Sequence, residues 1–107
     1  MAQHKSIDRG AVATMVLAGL RDVLTSSGME LPPDLGEATC LVGRQAVLDS
    51  IGMVTLVVDL EQRVESEYGA VIALANDRAM SMRNSPFRTV ETLTDYVCSL
   101  LAEERDA

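Results

Sequence analysis

The stretch from Asp49 to Gly69 constrains the fold more than any other. It contains no proline, opens on the polar pair Asp49-Ser50 and closes on a glycine. Ile51, Met53, Val54, Leu56, Val57, Val58, Leu60 and Val64 fill it in a helix-compatible order. Asp and Ser side chains accept from backbone N–H groups that lack a partner in a helix's first turn. The spacing therefore predicts a helix from about Ser50 to Tyr68, with Ser50 at its start near the surface and both Asp49 and Ser50 as cap candidates. Its hydroxyl is expected beside the positive end of the helix dipole, which attracts phosphate. Apolar residues cover more than half the circumference, which predicts deep embedding, with Val54, Leu56 and Val58 in the core. Residues 49–67 carry five acids and one base, a net −4 of the chain's −7. Asp59, Glu61 and Glu65 read most simply as a solvated face.

A second periodic run begins at about Asp8. Val12, Met15, Val16, Gly19, Leu20, Val23 and Leu24 form one stripe, and Ser26-Ser27-Gly28 ends it. No period survives from Met29 to Leu48, where Pro32-Pro33 excludes a helix and Gly36 and Gly43 interrupt the rest. A twenty-residue loop is long for a chain of this size. Leu31, Leu35, Leu41, Val42, Val47 and Leu48 are expected to anchor it; the alternative is that it also frames the entrance to a cavity. Ala70–Ala75 reads as an extended connection or a helix start. Asn76-Asp77 caps a brief helical turn through Arg78, Ala79, Met80 and Met82, stopped at Asn84-Ser85-Pro86. Thr89 caps a last helix with Val90, Leu93, Val97, Leu100 and Leu101 on one face. Glu103–Asp106 reads as a solvated tail. Three longer helices and a short one, in a single domain over 1–107, predict an all-α four-helix bundle with its long loop between helices one and two.

Composition narrows the chemistry. At −7 the chain is unsuited to nucleic acid or anionic lipid and suited to basic patches on proteins. The core is aliphatic and Met-containing: aromatics make up 3% and Trp is missing. Cys40 and Cys98 show no CxxC spacing, and the single histidine, His4, lies in the polar start, so neither a zinc site nor a nucleophilic triad is expected. No secretory signal or bilayer-spanning run is expected either, which points to the cytoplasm and reduced thiols.

With these residues in place the chain resembles the acyl carrier proteins. That family attaches 4′-phosphopantetheine to the serine of an Asp-Ser-Leu motif opening its second helix, and the motif here is Asp49-Ser50-Ile51. Val54, Leu56, Val58, Leu60, Glu61 and Val64 match the family's helix two without gaps. The long preceding loop, the short helix after, and Thr89–Val97 also match, so the resemblance covers nearly the whole chain. It implies a bundle of acyl-carrier type. It further implies a monomer with no catalysis of its own, bearing a covalent 4′-phosphopantetheine arm on Ser50 that carries acyl groups as thioesters. A phosphopantetheinyl transferase would load the arm from coenzyme A with Mg²⁺, and Asp49 would be contacted by it. Acyl-loading, acyl-transferring or condensing enzymes would dock through basic patches, with Met53, Val54, Asp59, Glu61 and Glu65 as docking candidates. Carboxylates often found two and five residues after the serine are Gly52 and Thr55 here, and Gln62 follows Glu61. That departure implies a specialised lipid, polyketide or related pathway rather than the ordinary fatty acid synthase. An unmodified carrier-like bundle acting as an interaction module, and an aminoacyl or peptidyl carrier, remain open.

Overall fold

The computed structural model describes residues 7–42, 46–74 and 86–106; at residues 50, 105 and 106 it describes the backbone alone. The described residues form a small all-helical bundle of three helices: α1 (Arg9–Ser26), α2 (Ser50–Tyr68) and α3 (Val90–Asp106). The expected short helix over 76–82 lies outside them.

Each helix ends where its local sequence dictates. Asp8 caps α1 through its side chain, which accepts from the Gly10 N–H at 3.1 Å. At the other end Gly28 takes φ 74°, its N–H reaches the Thr25 carbonyl, and the Met29 N–H reaches that of Leu24. Such a left-handed cap suits glycine and satisfies carbonyls the helix leaves open. Gly69 ends α2 in the same conformation, φ 66°, donating to the Glu65 carbonyl. Thr89 caps α3 reciprocally: its Oγ1 accepts from the Thr92 N–H at 3.1 Å, and the Thr92 Oγ1 accepts from the Thr89 N–H at 3.0 Å. This is a capping box with threonine in place of the usual glutamate. The helix runs on through Asp106, so 103–106 is its last turn and not a tail. No helix among the described residues is long and apolar enough to cross a membrane.

α1 is the central helix; it packs on both α2 and α3, and those two have no close backbone approach to each other among the described residues. Its stripe Val12, Val16, Leu20, Val23 and Leu24 is buried against Leu56, Leu60 and Val64 of α2 and Val90, Leu93, Val97 and Leu101 of α3, all in one cluster. Each fully buried Leu or Val contributes about 1.5–3 kcal/mol of apolar transfer energy. Gly19 permits the close approach of α1 to α2. A Cβ there would stand 2.7 Å from Asp59 Oδ2 and 3.3 Å from the Leu56 and Leu60 methyls.

Residues 70–74 are not helical. Ile72 and Leu74 point into the core while Val71 and Ala73 point out, the alternation a strand-like backbone imposes. The long loop is held by Leu41 and Leu48, which are buried, and by Leu35 and Val47, which pack on the core. Leu31 and Val42, expected as anchors, are exposed. Backbone bonds complete the attachment. Leu41 N–H donates to the Arg88 carbonyl, Val90 N–H to that of Thr39, and Glu91 N–H to that of Glu37, at 2.8–3.1 Å. The first amides of α3, which have no partner inside the helix, thus find acceptors in the loop. The Phe87 ring meets Tyr96 edge-on at 6.3 Å and seats the turn before α3.

Candidate functional site

The start of α2 is built by Asp49. Its side chain accepts from the Gly52 N–H at 2.7 Å and its carbonyl accepts from the Met53 N–H at 2.9 Å. Of the two expected cap residues Asp49 is therefore the N-cap, and Ser50 is the first residue of the helix, which runs to Tyr68 as expected. The reason is backbone conformation: Asp49 is extended (φ −88°, ψ −175°), as a cap must be, and the helical turn begins one residue later. The expected position of the Ser50 hydroxyl lies outside what is described. Gly52 is buried beneath this turn, where a Cβ would stand 3.1 Å from both Asp49 Oδ1 and Leu48 Cδ2. A side chain at position 52 would require the Asp49 and Leu48 side chains to give way by a few tenths of an ångström.

The faces of α2 differ from the expectation. Leu56 is buried, but Val54 is 63% and Val58 47% exposed, and Ile51 is 78% exposed. Val54 and Val58 are not core residues, and α2 is not deeply embedded. Its inward face is Leu56, Leu60 and Val64, spaced by four, which fits the groove opened at Gly19. Met53 is half-buried and packs on the core.

The acidic residues are also redistributed. Asp59 accepts from Arg63 one turn on, and Arg63 also reaches Asp22 on α1, so Asp59 belongs to the α1–α2 contact and not to a solvated face. The Asp59 hydrogen bond pushes the Arg63 pKa upward, with Asp22 adding to it. Glu61 Oε2 accepts from the Leu74 N–H at 2.9 Å and holds the segment after α2. Glu65 is exposed as expected. An ion-pair group that the sequence reading missed joins the remaining elements. Arg9 at the start of α1 binds Glu37 of the loop at 2.7 Å and Asp95 of α3 at 2.6 Å. These two bonds, Glu37's first, raise the Arg9 pKa.

Cys40 and Cys98 are free thiols, and burial pushes the Cys98 pKa above its ordinary value. Among the described residues no three His, Cys, Asp or Glu side chains stand where they would hold a metal ion. An open pocket of about 400 Å³ is lined by Val71, Ile72, Ala73, Leu100, Glu103 and Glu104. None of these belongs to the long loop or to the start of α2.

What the site offers is a capped helix start with an exposed apolar face running away from it. No family model, no curated protein and no solved structure matches the chain.

Proposed function

We propose that the chain is an acyl carrier protein that receives 4′-phosphopantetheine on Ser50 and delivers acyl groups as thioesters to partner enzymes. It does so as a non-catalytic monomer in the cytoplasm, as one carrier domain over 1–107, with the short helix of a carrier bundle over 76–82. The observation that supports this reading is the start of α2. Exposed Asp49 caps the helix, which sets residue 50 at the first helical position, and the next side chain, Ile51, is in solvent. A phosphodiester there would lie at the N-terminal end of a nineteen-residue helix dipole, where backbone N–H groups and the field favour an anion. Carriage needs no base beside the serine, because the transferase supplies the chemistry.

The test is to incubate the purified chain with coenzyme A, Mg²⁺ and a broad-specificity phosphopantetheinyl transferase and to weigh the product. The expected result is a mass gain of one arm that Ser50→Ala abolishes. No gain with a transferase that loads a control carrier rejects the proposal.

A further inference from the structure

We infer that the open pocket between residues 71–73 and the last turns of α3 is a binding site for a small organic cation, an ammonium group carried on an apolar body. The inference goes beyond the carrier reading and does not depend on it, since no lining residue belongs to the start of α2.

Two stretches of chain form the walls. One is Val71, Ile72 and Ala73, which follow α2; the other is Leu100, Glu103 and Glu104. The latter are spaced by three and four, so they share one side of α3. The cavity measures about 400 Å³, room for a small ligand. Its apolar part is anchored. Ile72 is almost fully buried and Leu100 half-buried, and both pack on the core, whereas Val71 and Ala73 stand in solvent. A ligand that covers this surface gains by removing it from water.

Charge selects the ligand. Glu103 and Glu104 are both exposed. They stand in the last turn of α3, which ends at Asp106, and the free carbonyls of that turn add partial negative charge. The chain as a whole carries −7. An anion is therefore repelled. A wholly apolar ligand would crowd two carboxylates and give them no donor in exchange for water. A bare metal ion lacks ligands, because among the described residues no three His, Cys, Asp or Glu side chains stand where they would hold one. An ammonium group supplies three N–H donors for carboxylate oxygens, and its apolar body lies against Val71 and Leu100. Of these classes it alone uses both halves of the pocket.

The probe is phenylpropylammonium, titrated into the isotope-labelled full chain, unloaded, and followed by amide chemical shifts. Saturable shifts are expected at residues 71–73 and 100–104, with Kd on the order of 1 mM at low salt. Phenylpropanol keeps the body without the charge, and methylammonium keeps the charge without the body; each is expected to bind at least about fivefold more weakly. Glu103→Gln/Glu104→Gln is expected to weaken the probe about fivefold and Val71→Ser about twofold. All three positions are exposed, and circular dichroism confirms that the variants are folded. Equal binding of methylammonium reduces the site to general ion pairing on an acidic surface and overturns the inference. Equal binding of phenylpropanol, or undiminished binding to the double glutamine variant, removes the carboxylates' role and overturns it too. Shifts at these amides that fail to saturate by about 20 mM probe reject the site outright. Loading of Ser50 plays no part in the measurement, so failure here leaves the carrier reading standing, and failure of loading leaves this site standing.

Discussion

Glu61 Oε2 accepts the Leu74 backbone N–H at 2.9 Å, so a carboxylate of α2 holds the strand-like segment that follows the helix. Ile72 and Leu74 are buried on either side of that attachment. Removing the acceptor leaves a partly buried amide without a partner. Glu61→Ala is expected to cost about 1–2 kcal/mol in urea unfolding, and Glu61→Gln, which keeps an acceptor oxygen, about half as much or less. Hydrogen exchange at the Leu74 amide should quicken in the alanine variant only.

The cap of α2 gives a contrast between neighbours. Asp49→Ala removes the acceptor of the Gly52 N–H and is expected to cost about 1 kcal/mol. Ser50→Ala, at the first helical position, is expected to cost less than about 0.5 kcal/mol. Denaturant melts of the two variants check the order; a larger loss from Ser50→Ala would make that hydroxyl structural.

Thr94 is fully buried in α3, and its hydroxyl has no hydrogen-bond partner among the described residues. Thr94→Val replaces the hydroxyl with a methyl of similar size and removes an unmet polar group. A gain of about 1 kcal/mol is expected. A loss in the same measurement would show that the hydroxyl has a partner.

Cys98 supplies a pH dependence. Burial favours its protonated thiol in the folded chain, with Arg9 opposing more weakly. Its folded-state pKa lies above the unfolded value of about 8.5, so stability is intact below that pH and falls as pH rises toward the folded-state value. In a Cys40→Ser background, alkylation of Cys98 should show a midpoint above about 8.5. The melting temperature should fall more steeply above pH 9 than in the variant lacking both thiols.

The helix ends other than the C-terminal end of α3 were legible because their determinants are local. Asp8, Gly28, Asp49, Gly69 and Thr89 act on residues within a few positions of themselves. The inward face of α2 was not legible, because apolar residues cover more than half of the helix circumference. Gly19, some forty residues away, selects Leu56 and Leu60 for burial over Val54 and Val58. The acids were misassigned for the same reason. Asp59 reads as solvated until Asp22 and Arg63 are brought beside it, and Glu61 until Leu74 is. Arg9 and Asp95 lie 86 positions apart and share no pattern a sequence displays. At the proposed site, residue 50's place at a helix start was readable; that the cap belongs to Asp49 required the backbone angles.

The carbonyls of Glu37 and Thr39 that receive the first amides of α3 tie together two parts of the chain that look independent. Length suggests a flap, but residues 37–41 of this connection are bonded to the start of α3. Lifting it would strip the opening turn of α3 of its acceptors, so departure of the loop and fraying of that helix are a single event.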